Sequence, residues 1–528
     1  MSDRPTTGEA LIELLAGYGI DTAFGVPGVH NLELYRGLQG GRLRHVLPRH
    51  EQGAGFMADG FARASGRPAA CFVITGPGLT NIATALGQAF SDSVPMLVVA
   101  TALDRADLGL GRGRLHEIAR QREVAAPLTG FAATALAPEA VPELVGRAMA
   151  GFRSGRPRPA CIEIPLDVMA APATGDWRPM ALPGPPSPPD DDVRRAAALL
   201  REAARPAVIL GGGALGLGDR ARALVERLAA PVVTTVAAKG LVPPEHPLHL
   251  GASLASPKVR AFLADRDLLL VLGSELAETD LWCDRLSLSG RLVRVDLDPA
   301  RLADARHPAE LAVCGDALAF VEALLPLLPQ RTGAEGVGAL RERALTEGGD
   351  LAARHRRVLD VVRRTAPPET VFTSDMTQLA YTANAVFPVP APRRWLHPVG
   401  FGTLGWALPA AIGAALARPG TPVVAIAGDY GFQYTLAELA TAVELALPLV
   451  VLLWDNEALG QIRDEMVGRS MQPVATRLRN PDFPALARAM GARVATPRSL
   501  AGLESALTAA LAAGGVHLLH LREEDFRG

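Results

Sequence analysis

The feature that most constrains the fold is a repeated alternation of short apolar strands with amphipathic helices. Near the N-terminus the helical pattern ALIELLAGYG is followed by the strand-like TAFGVPG, AACFVITGPG and PMLVVAT. The alternation returns with PAVILGGG, PVVTTV, DLLLVLGS and RLVRVDLD, and again with TVFTSD, TPVVAIAGD, LPLVVLLWDN and VHLLHL. This rhythm is typical of parallel sheets wrapped by helices. We therefore predict an α/β protein built from consecutive doubly wound parallel-sheet domains.

Two breaks in the alternation divide the chain. The stretch 170–189 is dense in proline and contains LPGPPSPP, and QRTGAEGVG follows the second α/β unit. Proline removes backbone donors and favours extended connectors, so both stretches are interpreted as linkers. A chain of 528 residues is also too long for one core. We predict three domains, over residues 1–170, 190–330 and 356–528.

Composition narrows the classes of partner. Lys and Arg total 53 against 55 Asp and Glu, and a net charge of -2 offers no field for nucleic acid or anionic membranes. A small-molecule partner is expected instead.

The N-terminal MSDRPTTGEALIELL has no signal-peptide pattern, and no run of about 18 apolar residues occurs. The four cysteines are widely spaced without a CxxC pair, which argues against zinc or disulfides. We expect a cytoplasmic protein.

The most informative segment runs from Val424 to Gly460. One strand ends in Gly428-Asp429 and the next ends in Asp455-Asn456. In a parallel βαβ unit both ends lie at the same carboxyl edge, where ligands collect. The Asp429 carboxylate, the Asn456 amide and the backbone carbonyl of Ala458 form an oxygen set suited to Mg²⁺. The alternative is an Asp and an Asn at unrelated strand ends.

The helix that follows Asp429 adds a second feature. Its start at Tyr430 and Gly431 offers backbone N–H groups and a positive dipole end to a diphosphate. With this helix, GD…DN at this spacing resembles the thiamine-diphosphate signature of the acetolactate synthase and benzoylformate decarboxylase superfamily. The resemblance implies thiamine diphosphate and Mg²⁺ as cofactors. It also implies that the predicted domains are, in order, pyrimidine-binding, central and diphosphate-binding domains.

Further segments carry the same resemblance. GTLGWALPAA, from Gly402, is similar to the family segment beneath the cofactor pyrimidine. This implies that the Gly402 carbonyl accepts from the 4′-amino group and that Leu404 enforces the bent cofactor conformation. The alternative for Leu404 is a core leucine. The family also implies cofactor contacts from three other residues, Gln378, Leu459 and Gly460.

In the first domain, HEQGAGFMADGFAR resembles the family's activating-glutamate segment and contains Glu51. A glutamate that shares a proton with pyrimidine N1′ favours the imino tautomer, whose nitrogen can remove the thiazolium C2 proton. Two glycine loops also match, and they imply cofactor contacts from Pro27 and Asn81. In the family the glutamate domain of one subunit faces the diphosphate domain of another. The resemblance therefore implies a homodimer with shared active sites, assembled further into a dimer of dimers.

This sequence departs from the family pattern mainly at positions that concern the substrate. Tyr430 replaces a usual glycine and Asp455 a usual asparagine, but neither change removes a predicted magnesium ligand. Val29 stands where benzoylformate decarboxylases carry serine, and their active-site histidine is missing from TGPGLTN. Both differences argue against phenylglyoxylate as the substrate. His116, in LHE, replaces a family glutamine, so it is a candidate proton relay or a surface histidine.

Acidic residues are the remaining candidates for substrate binding. By its offset from Gly273, Asp280 in GSELAETDLW falls where benzoylformate decarboxylases place a catalytic histidine. Asp280 and Glu278 would suit a cationic substrate tail, and the alternative is a solvated acidic loop. Gln461 and Glu465 occupy positions that line the substrate pocket in relatives. A guanidinium would be a well-matched partner for such carboxylates.

Taken together, the segments resemble the 5-guanidino-2-oxopentanoate (2-ketoarginine) decarboxylase subgroup. The predicted function is non-oxidative decarboxylation of that 2-oxo acid to 4-guanidinobutanal and CO₂. The alternatives are an acetolactate-synthase-like carboligase and, third, an inactive paralogue.

The GGGALG motif from Gly211 satisfies GxGxxG, but no acidic residue follows at the next strand end. Relatives bind FAD, ADP or nothing in this domain, and we expect nothing here.

Overall fold

The computed structural model describes residues 4–333 and 336–527. These residues form three sheets of six, five and six parallel strands, each wrapped by helices. The predicted fold class, three consecutive doubly wound α/β domains, is confirmed. The three sheets lie inside the predicted ranges, whose exact boundaries stay predictions. Residues 1–3, 334–335 and 528, which include part of the predicted second linker, lie outside the described residues.

The first sheet has the order β2-β1-β3-β4-β6-β5. Its strands are β1 Thr22–Gly25, β2 Arg44–Val46, β3 Ala69–Val73, β4 Met96–Ala102, β5 Phe131–Thr134 and β6 Ala160–Pro165. Its helices are α1 Thr7–Gly17, α2 Leu32–Leu38, α3 Glu51–Ser65, α4 Pro77–Ser91, α5 Gln121–Ala125, α6 Ala140–Ser154 and α7 Leu166–Ala170. Every residue of β3 and β4 is buried, because helices cover both faces of the sheet.

The central sheet has the order β11-β10-β9-β7-β8. Its strands are β7 Pro206–Leu210, β8 Val232–Thr234, β9 Leu268–Leu272, β10 Arg291–Asp296 and β11 Leu311–Cys314. Its helices are α8 Asp190–Glu202, α9 Asp219–Leu228, α10 Pro257–Ala264, α11 Glu278–Leu281, α12 Pro299–Leu302 and α13 Ala317–Leu324. Gly211 and Gly213 pack directly on Gly273, where an added Cβ would collide with backbone. Close packing therefore accounts for these glycines of the GGGALG motif.

The third sheet has the order β13-β12-β14-β15-β17-β16. Its strands are β12 Val371–Ser374, β13 Trp395–Leu396, β14 Val423–Gly428, β15 Leu449–Asp455, β16 Arg493–Ala495 and β17 Val516–Arg522. The helices after the central domain are α14 Gly338–Leu345, α15 Gly349–Thr365, α16 Gln378–Val386, α17 Ala407–Ala417, α18 Asp429–Tyr434, α19 Glu438–Glu444, α20 Gly460–Gly468, α21 Phe483–Ala489 and α22 Leu500–Ala513.

Helices α3 and α17 join the first and third domains in one hydrophobic core. Their backbones approach so closely that a Cβ at Gly60 would meet the Ala410 carbonyl, and one at Gly413 would meet the Met57 carbonyl. Overpacking a core in this way typically costs about 1–3 kcal/mol. Gly60 and Gly413 therefore permit the close contact between the first and third domains, which carry the predicted cofactor-binding residues. None of the described helices is both long enough and apolar enough to cross a membrane.

Candidate active site

Three neighbouring strands of the third sheet end in acidic residues at one edge. Asp375 follows β12, Asp429 follows β14, and Asp455 ends β15 beside Asn456. Asp429 is buried. Burial and the nearby Asp455 raise the pKa of Asp429 above its ordinary value, so a cation at this edge would favour its ionised form.

Asn480 connects two of these carboxylates. Its Nδ2 donates to Asp429 Oδ2 at 2.7 Å and to Asp455 Oδ1 at 2.8 Å. The other Asp455 oxygen lies 2.7 Å from His520 Nε2. Burial alone would raise the pKa of Asp455, but the hydrogen bonds from His520 and the Glu457 N–H bring it below its ordinary value. The edge is therefore held in one geometry by groups that the sequence did not single out.

Gly460, at the start of α20, lies in a tight cluster with Gln378 and Asn456. An added Cβ would meet Gln378 Oε1 and would lie 2.8 Å from Asn456 Nδ2. Gln378 Nε2 donates to Asp464 at 2.8 Å, whereas its buried Oε1 has no hydrogen-bond partner among the described residues. Asn456 Oδ1 accepts from the Ala458 N–H at 3.2 Å. Leu459, between Ala458 and Gly460 in the sequence, is half-buried.

Residues 402–406 lie at the same carboxyl edge of the third sheet. Gly402 and Gly405 adopt left-handed backbone angles, with φ of 66° and 82°. The Gly405 N–H donates to both Asp375 oxygens at 3.1 and 2.9 Å, and an added Cβ at Gly431 would lie 2.5 Å from that carboxylate. Despite its backbone hydrogen bonds, burial raises the pKa of Asp375 to about 6. Leu404 is half-buried, so it is not a leucine of the closed core.

Residues of the first domain hold the start of this segment. Asp92 accepts from both N–H groups of Val399–Gly400, at 2.8 and 2.6 Å. Gln88 Oε1 accepts from the N–H and the hydroxyl of Thr403 at 3.3 and 3.0 Å. Arg63 pairs with Asp92 at 2.8 Å. The segment that contains Gly402 is therefore fastened to α3 and α4 of its own chain.

Glu51 is the first residue of α3 and is buried at the carboxyl edge of the first sheet. Its Oε2 accepts a hydrogen bond from Asn81 Nδ2 at 2.9 Å. Arg49 and His50, the two residues before Glu51, donate their backbone N–H groups to the Glu438 carboxylate of α19. Pro27 and Val29 follow β1, which neighbours β2, and Val29 is exposed. The structure thus brings Glu51, Asn81, Pro27 and Val29 to one edge.

His116 lies in the loop after β4 at the same edge. Its ring packs against the ring of His30, with centroids 5.0 Å apart. His30 follows β1 and is buried, and the sequence reasoning did not single it out. Because β1, β3 and β4 are neighbours in the sheet, their following loops meet.

Asp280 faces a cavity of about 510 Å³ that lies between all three domains. His397 and Val399–Gly400 line the same cavity, which brings Asp280 near the segment that leads to Gly402. Burial, followed by repulsion from Asp92, raises the pKa of Asp280 to about 7. Among residues 4–333 and 336–527, no side chain donates to or pairs with its carboxylate. Glu278, on the same short helix α11, is exposed.

Gln461 and Glu465 lie one turn apart on α20. Gln461 Nε2 donates to Glu465 Oε1 at 3.2 Å, and the Glu465 side chain is 47% exposed. Of the described residues that line the cavity faced by Asp280, none belongs to α20. Tyr381 of α16 lies between the two regions. Its ring is 6.4 Å from that of His397, and burial followed by Asp375 and Glu465 raises its pKa to about 12.

The donors at the third-sheet edge fit a magnesium diphosphate. Asp429 has a raised pKa, and the Gln378 Oε1 is buried without a partner among the described residues. Within residues 4–333 and 336–527 no cluster of three or more His, Cys, Asp or Glu residues could hold a metal. A cation here would instead take one carboxylate, one amide and one backbone carbonyl, a set of hard oxygens that suits Mg²⁺.

Sequence reasoning missed Asp375, Asn480, Tyr381, His30 and Asp92. Asp375 could have been found, because it follows a predicted strand at the edge where the other ligand candidates lie. His30 also follows a predicted strand, but its partner His116 is distant along the chain. No sequence signal marked Asn480, Tyr381 or Asp92.

Three segments match family profiles of thiamine pyrophosphate enzymes. Residues 5–124 match the N-terminal TPP binding domain, residues 193–324 the central domain, and residues 375–521 the C-terminal TPP binding domain. A probable 2-ketoarginine decarboxylase of Pseudomonas aeruginosa is 53% identical over 525 residues, covering 98% of this chain and 94% of the relative.

More distant relatives carry another activity in their names. The acetolactate synthase isozyme 1 large subunit of Escherichia coli is 32% identical, covering 88% of this chain and 84% of the relative. An acetolactate synthase of Mycobacterium bovis is 33% identical, covering 92% of this chain and 82% of the relative.

Proposed function

Because this chain belongs to the thiamine pyrophosphate enzyme family, we propose that it is a magnesium-dependent, non-oxidative decarboxylase of a 2-oxo acid. The proposed substrate is 5-guanidino-2-oxopentanoate, and the products are 4-guanidinobutanal and CO₂. The observation that carries this choice is Asp280, a carboxylate that faces the cavity between the domains in a chain similar to a probable 2-ketoarginine decarboxylase. The acetolactate synthase relatives support carboligation less well, because their identity to this chain is lower.

The third-sheet edge is the proposed anchor for the cofactor. Asp429, Asn456 and the Ala458 carbonyl would hold Mg²⁺. The diphosphate would meet the starts of α18 and α20 and the Gln378 amide, through Tyr430, Gly431, Leu459, Gly460 and Gln378. Thiamine diphosphate, when bound, supplies the acceptor for the electron pair left as CO₂ departs.

The pyrimidine end of the cofactor is assigned to residues on two sheet edges. The Gly402 carbonyl would accept from the 4′-amino group, and the half-buried Leu404 would support the bent conformation. Glu51 would hold a proton at N1′. Asn81 would orient Glu51 through the 2.9 Å hydrogen bond, and Pro27 would close the side of the site.

We propose that two copies of the chain bring Glu51 to that cofactor. Within one chain the start of α3 is bound to Glu438 of α19, whereas the residues on either side of Gly402 are bound to Asp92 and Gln88, at the far end of α4. We therefore propose a homodimer in which each site combines the Glu51 edge of one copy with the Asp429 edge of the other. A pairing of two dimers into a tetramer is proposed from the family resemblance.

Exposed apolar side chains at both edges support this dimer. On the first domain they are Val29, Leu32, Leu110 and Leu115, and on the third domain they are Phe401, Tyr434, Ile462, Val467, Met471 and Val474. Burying such side chains against a second copy removes apolar surface from water, which favours association.

Mixing two inactive variants tests the shared site. Glu51→Gln and Asp429→Asn subunits, each inactive alone, should regain activity when mixed and refolded or exchanged. A hybrid dimer has one site with both native residues if the site is shared. Failure to regain activity in verified hybrid dimers would place Glu51 and Asp429 of one chain in the same site.

Substrate contacts are proposed on two sides of the site. Asp280, with Glu278 nearby, would attract the guanidinium, while Gln461 and Glu465 on α20 would contact the substrate from the Asp429 edge. Val29 would limit the pocket where relatives carry serine. His116 would donate the proton that replaces CO₂.

Two further assignments follow from sequence and structure together. All four cysteines are free thiols in the described chain, and two of them are buried, which supports the proposed cytoplasmic location. Gly212, Gly213 and Asp296 of the central domain line the same cavity that Asp280 faces. The alternative, FAD bound in this domain, is not favoured.

One experiment separates the candidate functions. The holoenzyme is incubated with a panel of 2-oxo acids that includes 5-guanidino-2-oxopentanoate, pyruvate and phenylglyoxylate. CO₂ release is recorded, and products are identified by mass spectrometry. A guanidino aldehyde as the main product supports the proposal, whereas an acetohydroxyacid from pyruvate supports carboligation. No CO₂ from any acid, with cofactor bound, would support an inactive paralogue.

A further inference from the structure

Two histidines at the carboxyl edge of the first sheet lie ring against ring. His30 follows β1, His116 lies in the loop after β4, and β3 separates the two strands. Their ring centroids are 5.0 Å apart, and the ring planes are inclined by 50°. The contact joins two loops that share an edge with Glu51.

Each ring has a nitrogen that the rest of the described chain does not satisfy. The Nδ1 atoms of His30 and His116 are buried, and neither has a hydrogen-bond partner among the described residues. A buried polar atom without a partner costs free energy, so this arrangement is a poor choice for packing alone. Rotation of either ring, or one water between them, would let the two imidazoles exchange a proton.

The loop that carries His116 is held in an uncommon conformation. His116 has a φ of 61°, in the left-handed region that non-glycine residues rarely adopt. Its carbonyl packs so closely on Gly76 that an added Cβ there would collide. The Glu117 carboxylate accepts from the N–H groups of Arg112 and Arg114 at 3.1 and 3.0 Å. Such strain is commonly kept where a side chain must be presented in one orientation.

Charges around the pair favour a single proton. Burial, followed by repulsion from His116, lowers the pKa of His30, and the Asp104 carboxylate partly opposes both effects. A positive charge on one ring would repel a positive charge on the other, so the geometry favours one shared proton over two separate ones.

We infer that His30 is a positioning residue that acts through His116, because the two imidazoles share one proton and His30 reloads His116 after each turnover. This inference rests on the proposed decarboxylase function. The reaction consumes one proton: the 2-oxo acid anion plus H⁺ gives the aldehyde plus CO₂. The proton passes from His116 to the carbon that lost CO₂, from His30 to His116, and from solvent to His30.

Exchange of the imidazole C2 hydrogen for deuterium, followed by mass spectrometry, reads the pKa of each histidine in the holoenzyme. In His116→Phe, which keeps an aromatic ring beside His30, the pKa of His30 should rise because the repulsion is removed. His517→Gln, at the amino-terminal end of β17, serves as the control and should leave His30 unchanged. An unchanged pKa of His30 in His116→Phe would overturn the pairing, whatever the substrate of the enzyme is.

Chemical rescue tests the role in turnover. His30→Ala should lower kcat by on the order of 100-fold while KM and cofactor affinity stay near those of the native protein. Added imidazole should restore turnover. Pyrazole, which has the same shape but stays unprotonated near neutrality, should not. His30→Gln should be as impaired as His30→Ala. Because glutamine is closer to histidine in size, this result would show that the loss does not come from a folding defect caused by the smaller alanine.

The outcomes are separable from those of the proposed function. Restoration by both compounds or by neither, or full activity of His30→Ala, overturns the role of His30. If the native protein decarboxylates no 2-oxo acid, the proposed function fails, and the exchange experiment still decides whether the two histidines share a proton.

Discussion

The carboxyl edge of the third sheet and the acidic loop of the central domain both contain carboxylates. The two regions differ in the hydrogen-bond partners that these carboxylates have. At the edge, Asp375 binds backbone N–H groups, and Asn480 bridges Asp429 and Asp455. In the loop, Asp280 faces a cavity with no side-chain partner in the part of the chain that the structure describes.

The difference corresponds to what each region would bind. A cofactor keeps one position through every turnover, and a network of fixed hydrogen bonds can hold that position in advance. A cationic substrate arrives and leaves, so a carboxylate without a resident partner is available to it. Such a carboxylate lowers stability, because burying charge without a partner is unfavourable. The four predictions below test this contrast, from the largest expected effect to the smallest.

Asp429→Asn should abolish magnesium-dependent cofactor binding, because it removes the charged ligand at the edge. Asn480→Ala should be milder, weakening metal affinity by roughly 10–100-fold, because Asn480 only orients the carboxylate. Titration of the apo protein with thiamine diphosphate at several magnesium concentrations measures both. Asp191→Asn, an exposed residue of α8, is the matched control. Native affinity in Asp429→Asn would refute the proposed anchor.

Glu51→Gln should lower kcat by about 10²–10⁴-fold while cofactor affinity stays near that of the native protein. The substitution keeps the shape of the side chain and its hydrogen bond with Asn81 but removes the group that can hold and release a proton. Steady-state kinetics, together with cofactor titration, separates activation from binding. Turnover at the native rate would sink the role assigned to Glu51.

Asp280→Asn should raise KM for 5-guanidino-2-oxopentanoate by on the order of 10–100-fold, as expected for the loss of a charge-assisted hydrogen bond. KM for an uncharged 2-oxo acid of similar length should change little. Glu465→Gln should show the same selectivity if α20 also contacts the guanidinium. Asp284→Asn, exposed after the acidic loop, controls for general effects. Equal losses on both substrates would count against an acidic pocket.

The smallest effect concerns stability and pH. Asp280 has a pKa of about 7 in the folded protein, above the ordinary value of 3.8. The folded state therefore binds the proton more tightly, and this residue makes stability fall as pH rises from about 4 to 7. At pH 8, Asp280→Asn should raise Tm relative to the native protein, and at pH 4 the two should be similar. Calorimetry at both values measures this, and a lower Tm at pH 8 would contradict it.

The fold and the family could be predicted because they depend on local patterns. Strand and helix periods repeat along the chain, and the shared edge of Asp429 and Asn456 follows from the geometry of a parallel βαβ unit. The family predicted from these motifs is confirmed by the three matching segments. The roles of the individual site residues stay predictions until the variants are measured.

The partners of those residues could not be predicted in the same way. Asp92 holds Val399–Gly400 across more than half of the chain, and Asn480 reaches Asp429 from a loop without strand or helix signals. His30 meets His116 only because β1, β3 and β4 are adjacent. Such contacts depend on how elements pack, which no short window of sequence contains.

By itself, the sequence determined the order of the elements, the family and the residues that follow each strand, because these depend on periodicity and on motifs within a few tens of residues. Only the tertiary structure decided which carboxylates have partners, since a hydrogen bond depends on distances of about 3 Å between distant segments. That distinction separates the fixed edge at Asp429 from the open cavity at Asp280.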